Sequence, residues 1–122
     1  MKVLLSIKPE FAYKIFDGTK KYEFRKSIFK REGIKKVVVY ASSPVRQVIG
    51  EFDIEDILCE NTNQLWKITQ NSSGITKQFY DSYFANKEKA FAIQVGKVKR
   101  FSHPKSLAEY NITLAPQSFV YL

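Results

Sequence analysis

Near Gly18 the spacing of apolar residues changes from that of a helix to that of a strand. This change constrains the fold more than any other feature of the sequence. Before it, Pro9 suits the first position of a helix whose apolar face would carry Phe11, Ala12, Ile15 and Phe16. Gly18 can adopt the left-handed conformation that ends a helix. After it, the residues of Lys20–Lys26 alternate with the period of a strand. The sequence therefore predicts a short amphipathic helix that turns directly into a strand.

The remaining patterns predict further strands around this unit. Continuous apolar runs at residues 3–7 and 35–41 are typical of buried strands, and the turn at residues 42–44 predicts a hairpin with residues 45–54. Alternation favours strands at residues 90–101, ending before Pro104, and at residues 118–122, while helical spacing predicts an insert around residues 55–86. Because helices do not follow every strand, the prediction is a single α+β domain over residues 1–122, a small mixed β-barrel of about six strands.

The net charge of +8 is unevenly distributed along the chain. Residues 1–50 carry twelve Lys/Arg against four Asp/Glu, residues 51–86 two against six, and residues 87–122 six against two. If the basic ends fold together, they form a positive surface that favours a polyanion, and nucleic acid is the expected one. A solvated basic surface that only maintains solubility is the alternative. The cations of the late strand either extend this surface or protect a strand edge; they are Lys97, Lys99 and Arg100.

Several function classes are not expected from the composition. No apolar run is long enough to cross a membrane, and the first residues do not form a signal peptide pattern. A single cysteine excludes an internal disulfide, and with one histidine it leaves too few ligands for a zinc site. We therefore predict no metal and no cofactor, with the cytoplasm as the expected compartment.

The strand after Gly18 places an acid and a base on one face, because Glu23 and Arg25 lie two residues apart. Lys20 would lie on the opposite face with Tyr22, Phe24 and Lys26. Two interpretations remain open for the acid–base pair: a solvated ion pair on a strand face, or the polar floor of a binding site.

Residues 18–25 fit the pattern G-x-K-x-x-E-x-R. This pattern resembles the signature of the ASCH domain, a branch of the PUA-like β-barrel superfamily. Its context adds specificity, since residues 4–9, 39–44, 48–52 and 115–121 also resemble segments of stand-alone ASCH proteins, some of them described as predicted transcriptional regulators. The resemblance implies a PUA-like barrel with a basic cleft beside it. That cleft would bind RNA or a modified nucleotide, in a regulatory role in transcription or translation.

The resemblance places the motif residues at the floor of this cleft. Lys20 and Arg25 can hold a phosphate or a base edge, and Glu23 can accept from an exocyclic amine. Tyr22, Tyr40 or Trp66 can stack on a base. The alternative assigns these aromatic rings to the core. The residues predicted to contact RNA or a nucleotide are Ser6, Lys8, Gly18, Lys20, Tyr22, Glu23, Arg25, Lys26, Tyr40, Ser42 and Ser43.

The resemblance also leaves an enzymatic alternative open. Some ASCH proteins resemble amidohydrolases acting on an acylated cytidine, and ribonuclease activity is known for others. The catalytic lysine of the amidohydrolases aligns with Lys20, but Glu23 stands where they carry a threonine nucleophile. The adjacent Thr19 would point to the other face of the strand. The alternative function is thus a hydrolase acting on an acylated nucleoside or RNA, with Lys20 as base and Glu23 as its partner.

Overall fold

One mixed six-stranded sheet organises the computed structural model, which describes residues 1–122. The strand order is β2-β5-β4-β3-β1-β6, with β1 parallel to β3 and every other neighbouring pair antiparallel. The predicted α+β class with about six strands is confirmed. The strands are β1 (Lys2–Ile7), β2 (Tyr22–Arg25), β3 (Lys36–Ala41), β4 (Gln47–Asn61), β5 (Lys89–Lys105) and β6 (Phe119–Tyr121).

Three α-helices accompany the sheet: α1 (Pro9–Asp17), α2 (Thr62–Thr69) and α3 (Lys77–Tyr83). Helix α1 begins at Pro9 and ends at Gly18, whose φ of 89° is left-handed, so both predicted helix boundaries are confirmed. Short 3-10 turns occupy Gln70–Ser72 and Leu107–Tyr110. None of these helices has the combination of length and apolar character that a membrane span requires.

The helical insert begins later than the sequence indicated, at Thr62 instead of near residue 55. Residues 55–61 continue β4, because they pair with β5 in the register Ile57 to Ile93 and Leu58 to Ala92. Ile57 packs into the largest core cluster while Leu58 packs into a second one, which gives the two-sided burial of a strand. The adjacent apolar residues Ile57 and Leu58 are therefore half-buried on opposite faces of the strand, while the other residues of this segment are exposed.

Two other strand limits also differ from the prediction. β5 continues through Pro104 to Lys105, where it pairs with Val48 of β4. β2 starts only at Tyr22, because the backbone N–H of Lys21 donates to the carbonyl oxygen of Ser72 instead of joining the sheet. Lys20 therefore lies outside the strand, and the predicted alternation does not determine which way its side chain points.

The sheet curls so strongly that its two edge strands approach each other. β2 and β6 stand at opposite ends of the strand order, yet Nη2 of Arg25 lies 2.6 Å from the hydroxyl oxygen of Ser118, the residue before β6. The largest core cluster, with Val3, Val37 and Phe52, fills the inside of this curl against α1. The gap between the two edges is where the candidate site lies.

Candidate nucleic-acid interface

A cleft of about 760 Å³ opens between the two edges of the curled sheet. Its walls come from the carboxyl ends of β1 and β3, from β2, from the start of α1, from one face of α3, and from residues 115–118. The side-chain hydroxyl of Ser6 donates to the carbonyl oxygen of Pro116 at 2.6 Å, which fixes the last segment against β1. This volume lies within the range of small-molecule sites in proteins.

Lys20 lies at the floor of the cleft and is only 2% exposed. Its Nζ donates to the carbonyl oxygen of Ser73 at 2.8 Å and lies over the rings of Phe24 and Phe11, 4.8 and 5.3 Å from their centroids. Burial lowers the pKa of Lys20 to about 8; the nearby carboxylate of Glu23 opposes this change, while the charge of Lys14 adds to it. The amine therefore titrates close to neutral pH.

The loop before α3 holds Lys20 in this position. Gly74 has a φ of +70°, and a Cβ atom there would lie 2.5 Å from the Cβ of Lys20 and 2.6 Å from its Cγ. Only a glycine can take this backbone conformation so close to the lysine stem without strain. The Lys20 backbone N–H also donates to the carbonyl oxygen of Lys14, so the helix end and the insert together orient the side chain.

Glu23 and Arg25 form the other part of the floor. Nη1 of Arg25 lies 3.2 Å from Oε2 of Glu23, and both residues are buried, at 9% and 6% exposed. Arg25 also donates to the hydroxyl of Ser118. The interpretation as a solvated ion pair is therefore wrong, because both side chains are buried; the pair lines the cleft instead.

The rim carries exposed cations, and the cleft as a whole is strongly positive. Lys8 and Lys26 lie over aromatic rings of α3, with Nζ 5.3 Å from the centroid of Phe79 and 4.8 Å from that of Tyr83. Arg46 is exposed at the end of the β3–β4 turn. Together with Lys20 and Arg25 these side chains make five cations around the cleft, against one carboxylate, that of Glu23.

The aromatic wall of the cleft comes from α3. The rings of Phe79 and Tyr83 lie one helical turn apart, nearly parallel at 12° with centroids separated by 6.3 Å. The Tyr83 hydroxyl donates to the carbonyl oxygen of Phe24, and burial is the main cause that raises the pKa of this tyrosine. Tyr40 contributes a further ring at the end of β3. Tyr40 is buried, whereas the half-buried rings of Phe79 and Tyr83 offer faces on which a planar group can stack.

The structure brings most of the predicted contact residues together at the cleft. Those that line it are Ser6, Lys8, Lys20, Glu23, Arg25, Lys26, Tyr40, Ser42 and Ser43. Two are not part of its lining: Gly18 ends α1 at the surface, and Tyr22 packs against the second core cluster. Trp66 belongs to that cluster as well, with its ring 4.8 Å from Tyr80.

Sequence reasoning did not select twelve of the 21 lining residues, among them Arg46, Phe79, Tyr83 and Ser118. Arg46 follows the predicted turn, so a wider view of that turn would have included it. Phe79 and Tyr83 were assigned to a helix by their spacing, with no indication of which face met the motif. Ser118 had no local signal, since only the curl of the sheet brings it to Arg25.

Comparisons with known proteins agree with this fold. A family model described as the ASCH domain matches residues 5–99. A protein of Zymomonas mobilis named "ASCH domain-containing ribonuclease" is 35% identical over 91 residues, which are 75% of this chain and 62% of that protein. The crystal structure of ASCH from Zymomonas mobilis superposes with a TM-score of 0.90 at 30% identity, covering 99% of this chain and 87% of that one.

A further relative is much longer than this chain. The protein named "Large ribosomal subunit protein uL22" of Ureaplasma parvum serovar 3 is 33% identical over 120 residues. The match covers 98% of this chain but only 39% of that protein. The chain thus spans well under half the length of this relative.

Proposed function

Because the chain belongs to the ASCH domain family, we propose that its cleft binds RNA or a modified nucleotide. The observation that most strongly supports this is the charge of the lining, five cationic side chains against one carboxylate around a cleft of about 760 Å³. Cations matched to phosphates supply most of the affinity of proteins for nucleic acids. Aromatic rings beside them supply stacking surface for a base.

The proposed contacts differ between rim and floor. Lys8, Lys26 and Arg46 are exposed and meet the phosphates, while Phe79 and Tyr83 offer ring faces to an unstacked base. Toward the floor, the Glu23 carboxylate and the Arg25 guanidinium are placed to meet the polar edge of that base. Ser6, Tyr40, Ser42 and Ser43 complete the proposed polar contacts.

The relatives support RNA as the ligand to different degrees. The Zymomonas mobilis protein is named a ribonuclease and shares a domain of this kind, so RNA is its substrate by name. The ribosomal name of the Ureaplasma parvum relative describes a protein of which this chain matches 39%, so that name does not carry over. A regulatory role in transcription or translation, in the cytoplasm, remains part of the proposal; it rests on the earlier sequence resemblance and composition alone.

Charge removal at the rim tests the binding proposal. Fluorescence anisotropy with a labelled single-stranded RNA dodecamer would compare the wild type with a Lys26→Gln/Arg46→Gln variant. Loss of two phosphate contacts should weaken binding about tenfold and lower the salt slope by about 1.4. The matched control is Lys67→Gln/Lys87→Gln, which removes the same charge from exposed residues outside the cleft. Equal losses in both variants, or no RNA binding by the wild type at low salt, would contradict the proposal.

RNA cleavage at the same cleft is a second candidate, favoured by the state of Lys20. With its pKa at about 8, a sizeable fraction of this amine is neutral near physiological pH. The neutral amine keeps N–H bonds for the Ser73 carbonyl oxygen and gains a lone pair. It can then accept the proton of a ribose 2′-hydroxyl while the 2′-oxygen attacks the adjacent phosphorus. The 5′-oxygen leaves with a proton from solvent, and a 2′,3′-cyclic phosphate remains.

The pH profile of cleavage tests this second candidate. Cleavage of a labelled RNA by the wild type should rise with pH through about 8, and Lys20→Met should abolish it while RNA binding persists. Cleavage by the Lys20→Met variant at the wild-type rate would exclude Lys20 as the base. The acylated-nucleoside alternative gains no support from the geometry, because the Thr19 hydroxyl donates to Asp17 at the surface and does not line the cleft.

A further inference from the structure

A second concave surface lies at the far end of β5, outside the cleft, and its lining contains no carboxylate. It encloses about 370 Å³ and is lined by Lys99, Arg100, Phe101, Ser102, His103 and Lys105. We call this surface the β5 patch.

The strand pairing explains why these cations cluster. Gly50 of β4 pairs with Arg100 of β5, and Val48 pairs with Lys105. Between these two pairs the chain advances two residues along β4 but five residues along β5. The extra residues bulge out of the ladder and form the concave wall. On its other side this part of β5 has no strand neighbour, since β2 pairs with it only from Phe91 to Gln94.

The cations of the β5 patch make no direct ion pairs, although Glu51 of β4 stands opposite Lys99 in the strand register. None of Lys99, Arg100 and Lys105 takes part in an ion pair. Aromatic rings lie beside two of them instead: the Arg100 guanidinium lies 5.2 Å from the ring centroid of Tyr13, and the Lys105 Nζ lies 4.7 Å from that of Phe101. Positive side chains held near rings leave their N–H donors free for an anionic ligand.

The β5 patch is connected to the cleft through two elements. Val48, the partner of Lys105, follows the rim residue Arg46 by two residues. Helix α1 carries Phe11, which lines the cleft, and Tyr13, which meets Arg100. The rim cation Arg46 and the cations of the β5 patch therefore lie at the two ends of a short path past the β3–β4 turn. A ligand with regularly repeated negative charge would match such a path, whereas a mononucleotide would occupy only the cleft.

We propose that the β5 patch binds the phosphate backbone of the RNA that occupies the cleft, several nucleotides away from the bound base. The proposal rests on the proposed function and extends the ligand from a nucleotide to a single-stranded RNA segment. Cations along an unpaired strand edge also oppose edge-to-edge association. That role predicts no effect on RNA binding, so the two roles differ in their measurable consequences.

The experiment compares two lengths of RNA. Anisotropy would be measured for a labelled trinucleotide and a labelled dodecamer with the wild type and a Lys99→Gln/Arg100→Gln/Lys105→Gln variant. We expect the variant to bind the dodecamer about tenfold or more weakly, with a salt slope lower by about 2, and to bind the trinucleotide as the wild type does. The matched control is Lys67→Gln/Lys87→Gln/Lys89→Gln, which removes three exposed charges from the other end of β5 and the insert.

The outcomes separate this inference from the proposed function. Dodecamer binding that the rim variant weakens but the β5 patch variant leaves unchanged would overturn the inference and leave the cleft proposal standing. An equal loss in the β5 patch variant and its matched control would also overturn it. Absence of RNA binding by the wild type would contradict both this inference and the proposed function. Self-association of the β5 patch variant in gel filtration, together with unchanged dodecamer affinity, would assign these cations to edge protection.

Discussion

The floor and the rim of the cleft both carry cations, but the protein holds them in different ways. At the floor, Lys20 is enclosed by two rings and a carbonyl oxygen, and Arg25 is bonded to Glu23 and Ser118. At the rim, Lys8 and Lys26 are exposed and have no partner except an aromatic face. The floor is therefore coupled to the folding of the domain, while the rim remains free to exchange water for a ligand.

This difference indicates what the floor and the rim can each contribute to stability and to ligand binding. Buried charges cost desolvation energy and are retained only with specific partners, so they fix geometry and pKa. Exposed charges add little to stability and can release counterions when a polyanion binds. Substitutions at the floor should accordingly affect folding first, and substitutions at the rim should affect binding first. Four predictions test this division, in order of decreasing size.

Removing Arg25 should have the largest effect on stability. Arg25→Met leaves the Glu23 carboxylate buried without its ion-pair partner, which should lower the free energy of unfolding by about 3–5 kcal/mol. Urea denaturation measures this loss, with the exposed neighbour Lys26→Met as a control that changes stability by less than about 0.5 kcal/mol. The double variant Glu23→Gln/Arg25→Met should recover part of the loss. A double variant as unstable as the sum of both single changes would show that the pair is not coupled.

Lys20 should make stability depend on pH in the alkaline range. Its pKa is about 8 in the folded protein against an ordinary 10.5, so between these values the unfolded chain binds more protons and the wild type gains stability as pH rises. Relative to Lys20→Met, the free energy of unfolding should therefore increase by about 3 kcal/mol from pH 7 to pH 11. Tyr80, with its pKa raised to about 12, loses stability above pH 10 in both proteins, so its effect cancels. A pH-independent difference would contradict the burial of a charged amine.

The loop that encloses Lys20 should be sensitive to a single methyl group. Gly74→Ala introduces both backbone strain at a φ of +70° and a clash with the lysine stem, and should lower the free energy of unfolding by about 2 kcal/mol or more. Gly33 is the matched control, because its φ of +80° is similar but no atom lies within 4 Å of an added Cβ. Gly33→Ala should cost about 1 kcal/mol from strain alone. Equal losses of unfolding free energy in Gly74→Ala and Gly33→Ala would show that the loop around Gly74 relaxes and removes the clash with Lys20.

The smallest effect should appear at Arg46, with opposite signs for folding and binding. Arg46 has a φ of 56°, a left-handed conformation that strains a side chain with a Cβ. Arg46→Gly relieves this strain and should stabilise the protein by up to about 1 kcal/mol, while RNA binding weakens because a rim cation is lost. Arg46→Gln, which keeps the strain, should weaken binding without stabilising the fold. A lower free energy of unfolding in Arg46→Gly would contradict this prediction. It would show that Arg46 stabilises the fold, as the buried cations of the cleft floor do.

Local patterns in the sequence were enough to predict the parts of the fold that depend on neighbouring residues. The start of α1 at Pro9, its end at Gly18 and the buried strand through Val37–Tyr40 follow from capping and from unbroken apolar runs. The segment Glu55–Asn61 was mistaken for helix because its two adjacent apolar residues, Ile57 and Leu58, show no alternation and the rest of the segment is exposed. Only its pairing with β5 distinguishes it, and pairing is not a local property.

The candidate site was predictable to the extent that one motif contains it. Lys20, Glu23 and Arg25 lie within six residues and were selected together. The turn residues Ser42 and Ser43 were added as possible hydroxyl donors, beside the alternative that they bond within their own turn. The direction of the Lys20 side chain was not predictable, since it depends on where β2 begins and on Gly74, far along the chain. Ser118 and the rings of α3 reach the cleft through tertiary packing, which no spacing in the sequence reports.

The hydrogen bond between Arg25 and Ser118 has a consequence for the timing of synthesis. The two residues are 93 positions apart, and at ordinary translation rates this separation corresponds to about 5–20 seconds. During that interval the nascent chain carries Lys20, Glu23 and Arg25 without the serine that holds the arginine across the sheet edges. Pairing of β6 with β1 must therefore follow the emergence of Ser118. The cleft is complete only then, when the part of the messenger that encodes its floor has already been read.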